Sequence, residues 1–238
     1  MAEGKIRVVT WNVHSCIGID RRFDPERVKD IILSLDPDIA ALQEVDSRRD
    51  LRDGFDLLGD CLGSHRATVR TIRTADGDYG HMLLSRWEIA SWTHHDLSFG
   101  RREPRSLIEA RIETDHGPIS IFATHLGLNR GERRAQAATV MALAEAEELP
   151  TVVLGDFNEP TGRGTAGRML SRKFHSAGRL PTYPSLWPLL PLDRIWFGQG
   201  VDLIDSAVHT PARRASDHLP LWADLRLSER TSESPRNR

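Results

Sequence analysis

The sequence predicts a single α/β domain, and three observations carry that expectation. Short apolar or alternating runs recur along the chain, each bounded by Gly, Pro, Asn or Asp, which is the signature of strands. Two stretches carry helical spacing instead. No repeat, low-complexity core segment or clear linker divides the 238 residues, so one domain over 1–227 and a polar tail over 228–238 are expected. A composition of 39% hydrophobic and 28% charged residues, with net charge −2, suits a soluble globular protein with a full core. The chain has neither the apolar run of a transmembrane segment nor a signal-peptide core at its start, and a cytoplasmic location is expected. Cys16 and Cys61 lack metal-type spacing and are too few for a disulfide scaffold.

Lys5 to Asn12 alternates as a strand and ends on an amide. Asp24-Pro25-Glu26 reads as an N-cap followed by Pro at the first helical position. Val28, Ile31, Ile32 and Leu35 then keep helical spacing until Pro37 ends the helix. Asp38 to Val45 is a buried strand with Gln43 and Glu44 at its far end, and Arg48 to Asp78 reads as helix and loop. Strands are expected at Gly80–Arg86, Glu88–Leu97, Ser106–Glu113 and Ile119–Leu126, with a basic loop at 100–105. Glu132 to Leu149 is the longest helix, with Ala137, Val140, Met141 and Ala144 on one stripe. Thr151 to Leu154 is a β-branched and aliphatic run buried on both faces, broken by Gly155. A loop and short helix over 162–173 and an irregular Pro-rich, aromatic loop over 182–191 follow. Strands at Leu192–Phe197, Val201–His209 and Leu219–Leu227 complete the domain, and the tail is expected to be disordered.

The polar residues at the strand ends form a pattern. Asn12, Glu44, His125, Asp156 with Asn158, Asp193, and Asp217 with His218 all sit beside ends of apolar runs. Each alone reads equally as a turn residue or a satisfied buried group. Together they suggest a pocket along one rim. Asp156 and Asn158, at i and i+2, point the same way if the chain is still extended there. The carboxylate can orient or deprotonate a water, and the amide can donate to an anionic oxygen. Carboxylates and amides without a Cys/His cluster suit Mg²⁺ or Mn²⁺. The chain has no Walker-type phosphate loop and no G-x-S-x-G elbow. Metal-assisted attack of water on a phosphate ester remains.

The segments TWNVH, ALQEV, ATHL, GDFNEP, LDRIW and SDHLPL, in this order, closely resemble the endonuclease/exonuclease/phosphatase superfamily of DNase-like phosphoesterases, over nearly the whole chain. The resemblance implies a four-layered α/β sandwich, two mostly antiparallel sheets face to face with helices outside. It implies Glu44 as main metal ligand, with Asn12 and Asp217 beside it, and Mg²⁺ or Mn²⁺ as cofactor. Asp156 would orient or deprotonate the water, and Asn158 would hold the phosphate or the nucleophile. His218 would stabilise the developing charge or act as acid/base, oriented by Asp193, and His125 would also touch the scissile phosphate. Arg102 or Arg105 would add a positive contact. Many members read G-N-A where this chain has Gly80-His81-Met82, so His81 is left outside the core site.

The reaction class implied is phosphodiester hydrolysis by water attack on phosphorus, nuclease-like, with a nucleic acid or a phospholipid headgroup as partner. Arg101, Arg102 and Arg105, Arg130, Arg133 and Arg134, and Arg213 and Arg214 are candidate backbone contacts, modest in number and equally readable as ordinary surface. The alternative is a phospholipid or sphingomyelin-type phosphodiesterase, suggested by the loop TYPSLWPLLP. A phosphomonoesterase ranks below it: Leu154 and Pro191-Leu192 depart from the inositol-phosphatase patterns. A non-catalytic binding module ranks last, because none of Glu44, Asp156, Asp217 and His218 is lost.

Overall fold

The computed structural model describes residues 4–48, 53–161 and 164–228. In chain order the strands are β1 (Lys5–Asn12), β2 (Ile39–Asp46), β3 (His65–Thr74), β4 (Gly77–Ser85), β5 (Ile89–Asp96) and β6 (Ser106–Thr114). They continue as β7 (Gly117–His125), β8 (Thr151–Asp156), β9 (His175–Ser176), β10 (Asp193–Phe197), β11 (Val201–Val208) and β12 (Leu221–Leu227). The helices are α1 (Pro25–Leu35), α2 (Gly54–Gly59), α3 (Arg130–Ala146) and α4 (Thr165–Leu170). Two six-stranded sheets result, ordered β11-β12-β1-β2-β4-β3 and β5-β6-β7-β8-β10-β9.

Pairing is antiparallel except at the centre of each sheet, where β1–β2 and β7–β8 run parallel. A parallel pair needs a crossover, and α1 and α3 supply one each. This topology brings the C-terminal ends of β1 and β2 to one rim of the first sheet, and those of β7 and β8 to one rim of the second.

The sheets pack face to face over one apolar core, to which Ile6, Val8, Ile39 and Ala41 contribute from one sheet and Ile119, Ile121, Val152, Leu154 and Ile195 from the other. The outer face of the first sheet, with Trp11, Ala40 and Leu42, buries Val28, Ile32 and Leu35 of α1 and Phe55 and Leu58 of α2. Phe122, Val153 and Trp196 on the outer face of the second meet Ala137, Val140 and Ala144 of α3 and Ala166 and Leu170 of α4. The protein is thus a four-layered α/β sandwich. Because both faces are covered, every residue of β8 is buried, as its continuous apolar run requires.

Local chemistry sets the helix ends. The Asp24 carboxylate accepts from Arg27 N at 3.0 Å and Pro25 opens α1. α3 begins two residues before the expected Glu132, because Asn129 and Glu132 form a reciprocal capping box. It ends at Ala146 rather than Leu149, where Glu147 turns extended and accepts from Leu149 N and Ser120 Oγ.

The region expected as helix and loop over Arg48 to Asp78 is a correction. It holds α2 and also β3, an edge strand hairpinned to β4, which starts at Gly77 rather than Gly80. Ala67 and Val69 face the core while charged Arg66 and Arg70 alternate with them, so the period was hidden by an edge strand's polar face. The 182–191 loop is irregular as expected, apart from a Tyr183–Leu190 bridge. The tail beyond 228 and part of the 162–173 segment lie outside the described residues.

Candidate active site

On the inward face each central strand stays apolar until its rim and then turns polar. Ile6 and Val8 lead through Thr10 to Asn12; Ile119, Ile121 and Ala123 lead to His125; Val152 and Leu154 lead to Asp156. β10 runs antiparallel to β8, so its row reads backwards, from Phe197 and Ile195 to Asp193. The register sets His125 and Asp193 on either side of Asp156.

Glu44 reaches the same rim through an irregularity. β2 slips register against β4 between Leu42 and Val45, and Glu44 adopts φ 58°. Leu42 and Val45 both face the outer core, so the two residues between them turn inward. Gln43 then bonds Thr10 Oγ1 at 3.2 Å, and Glu44 Oε1 accepts from Asn12 Nδ2 at 2.8 Å. Gly155 has φ 148°, and a Cβ there would lie 1.9 Å from Thr124 O. Only glycine lets β8 approach β7 closely enough to hold Asp156 beside His125.

Donors converge on one oxygen, Asp156 Oδ2. Asn12 Nδ2 lies 3.0 Å away, His125 Nε2 3.5 Å and His218 Nε2 3.8 Å. The other oxygen accepts from Asn158 N at 2.8 Å, in a local turn where Asn158 has φ 49°. Asn158 Nδ2 donates to Leu126 O at 2.9 Å and sits 3.1 Å from His125 Nε2. His218 Nδ1 pairs with Asp193 Oδ2 at 2.8 Å, and Thr182 Oγ1 donates to the same oxygen. Trp11 Nε1 donates to His218 O at 3.0 Å, and the Tyr183 ring packs on the His218 imidazole.

These contacts separate the proton states. Burial lifts the Asp156 carboxyl above the ordinary aspartate range, with His218 opposing and Asp193 reinforcing the shift. Burial alone would discharge His218, but Asp193 and Asp156 outweigh it and raise its pKa to about 10. His125 is pushed well below its usual value by burial and by the Arg105 guanidinium. Burial disfavours the Glu44 carboxylate too, yet His14, His125 and Asn12 hold its pKa near about 2.

Arg105 acts through another side chain. It is buried, and its Nη1 donates to His125 Nδ1 at 3.0 Å. An arginine has no acceptor, so Nδ1 carries the lone pair and Nε2 carries the proton, facing Asp156. Arg102 lies exposed, 3.8 Å from Glu132 of α3. His81 is buried beside Ser106 Oγ at 3.0 Å, and burial depresses its pKa to about 3.

The residues fit a hard cation. Glu44 and Asp217 offer carboxylate oxygens 3.6 and 3.7 Å from His14 Nδ1, so the three define an anionic, partly open corner. Asn12 Oδ1 accepts from His14 N at 3.0 Å, which turns its amide nitrogen toward Glu44 and Asp156. Oriented so, Asn12 braces the carboxylates. Asp156, Asp193 and His218 also present ligand atoms within 4.8 Å of one another. There, however, an ion would have to displace the charged Asp193–His218 hydrogen bond. His14, Thr182 and Tyr183 were missed in the sequence. Thr182 and Tyr183 lie in an irregular Pro-rich loop whose linear pattern gave no signal, whereas His14 stood two places after Asn12.

A family profile described as Endonuclease/Exonuclease/phosphatase family matches residues 9–218. The uncharacterized protein YbhP of Escherichia coli K12 is 30% identical over 247 residues, spanning 93% of this chain and 96% of that protein. The endonuclease/exonuclease/phosphatase from Beutenbergia cavernae superposes with a TM-score of 0.80 at 21% identity, over 95% of this chain and 72% of that one. The Bacteroides thetaiotaomicron mannosyl-6-phosphatase Bt3783 does so with a TM-score of 0.73 at 17% identity, over 92% and 99%. At such identity the two structures speak for the fold.

Proposed function

The chain belongs to the endonuclease/exonuclease/phosphatase family, and on that premise we propose that it is a Mg²⁺- or Mn²⁺-dependent phosphodiester hydrolase, nuclease-like, in which water attacks phosphorus. The observation that carries this reading is the convergence of Asn12, His125 and His218 on Asp156 Oδ2. Burial makes Asp156 basic enough to take a proton from water. His218, kept cationic by Asp193, donates its Nε2 proton to a phosphate oxygen or the leaving group. Neutral His125, its tautomer set by Arg105, donates from Nε2 to a second phosphate oxygen, and the Asn158 amide, anchored on Leu126 O, is a further donor for the phosphate. Glu44 and Asp217, braced by Asn12, would hold the cation, which when bound neutralises phosphate charge. Arg102 would meet substrate at the outer edge of the site.

One observation favours a second reading, a phospholipid phosphodiesterase. Leu186, Trp187 and Leu189 are exposed, Trp187 at 78%, on a loop whose base is tied to the site by Ser185 N to Asp217 O at 2.7 Å. The test is hydrolysis of bis-p-nitrophenyl phosphate against p-nitrophenyl phosphate, with Mg²⁺ or Mn²⁺. Diester turnover that disappears in Glu44→Ala is expected. Turnover of the monoester alone would replace the proposal with a phosphatase.

A further inference from the structure

Four arginines converge on a cleft between α3 and α4. Arg130 and Arg134 on α3, with Arg168 on α4 and Arg172 just beyond it, line a cavity of about 430 Å³ together with Thr165 and Met169. A second cavity of about 240 Å³ shares Arg130, Thr165 and Arg168 and adds Arg133, Glu159, Pro160 and Thr161. All four are exposed, and none has an ion-pair partner among the described residues. The one carboxylate lining either cavity, Glu159, is buried and spent on Ala166 N at 3.2 Å and Gly167 N at 2.8 Å. Unpaired guanidinium groups facing a common cavity repel one another, and an anion removes that repulsion.

The cleft is joined to the catalytic rim by the two chain segments that leave it, after His125 and after Asn158. Glu159 follows Asn158 directly, and Arg133 Nη1 donates to Gly127 O at 3.2 Å and Leu128 O at 2.6 Å, in the loop that leaves His125. We infer that this cleft is a subsite for the backbone of a nucleic-acid strand whose scissile phosphate lies at Asp156. The inference rests on the phosphodiesterase reading and names its substrate class. Arg130 and Arg134 are one helical turn apart, about 6 Å along the axis, a spacing of the order of one nucleotide step. Arginine suits phosphate oxygens through bidentate hydrogen bonds. A bilayer would need broad apolar contact, whereas Met169 is the single apolar side chain lining the larger cavity.

The test is fluorescence anisotropy of a labelled oligonucleotide strand in EDTA, so that binding is read without turnover. For the double variant Arg168→Ala, Arg172→Ala we expect a Kd about tenfold higher. The slope of log K against log salt should become shallower by about 1.4, two phosphate contacts at roughly 0.7 each for a single strand. Arg168→Lys, Arg172→Lys keeps the charge and should keep most of the slope, which separates electrostatics from folding. Equal Kd and slope in wild type and the alanine variant would overturn the inference. So would wild-type protein that binds phosphatidylserine vesicles but not the strand. Either failure, with diester turnover intact, leaves the proposed reaction standing and removes only the cleft. Loss of diester turnover with strand binding intact does the reverse.

Discussion

Asp156 and His218 lie 3.8 Å apart and both depart from ordinary proton states, Asp156 because it is buried and His218 because Asp193 and Asp156 outweigh its burial. In metal-free protein, His218 should stay protonated until pH approaches about 10, while His125 stays neutral throughout the neutral range. Histidine ¹⁵N chemical shifts across a pH titration check this; a neutral His218 at pH 7 would contradict it. A histidine whose folded pKa is raised contributes stability that is complete below about 6.5 and disappears as pH rises through its folded value, here about 10. Thermal unfolding of His218→Gln should therefore lack part of the wild type's alkaline loss. Asp156→Asn should cut kcat by about 10²–10⁴, the ordinary worth of a general base, while the fold stays intact. The residues of the rim were readable in the chain because each ends an apolar run. Arg105's partner was not: that it serves His125 rather than phosphate depends on a contact between β7 and the loop before β6, 20 residues apart.

Elements carry the next level of the account. β8 delivers Asp156 only because Gly155 allows it to approach Thr124 O. Gly155→Ala should cost on the order of 1–3 kcal/mol of overpacking strain, read as a lower Tm, and should also lower turnover by shifting Asp156 from His125. Asn129→Ala removes the α3 cap and should cost about 1 kcal/mol with the small-diester rate unchanged; denaturant titration and bis-p-nitrophenyl phosphate turnover distinguish the two effects. Helices α1 and α3 and the buried strands were legible from period and capping, since their cores repeat at 3.6 or 2 residues. The slip in β2 that turns Glu44 inward was not, because a register shift exists only against β4. β3 was hidden for a related reason. An edge strand exposes one face, and its arginines masked the Ala67–Val69 alternation even though Asp76-Gly77 marks a hairpin.

At the scale of the whole molecule, two parallel strand pairs, one per sheet, aim their C-terminal ends at a common rim over a continuous apolar core. The family resemblance, rather than periodicity, supplied that layering in advance; the apolar runs alone give strands without saying which face which. Two further features stand outside that core, exposed Leu186, Trp187, Leu189 and Leu190 on one loop and an arginine-lined cleft between α3 and α4. No described helix is long and apolar enough to cross a membrane. The central claim is that water at Asp156 attacks phosphorus, and hydrolysis of a diester in H₂¹⁸O, followed by mass spectrometry of the products, tests it most directly. The account predicts one ¹⁸O atom in the phosphoryl product and a rate that collapses in Asp156→Asn. Label in the released alcohol, or an undiminished rate in that variant, would contradict it.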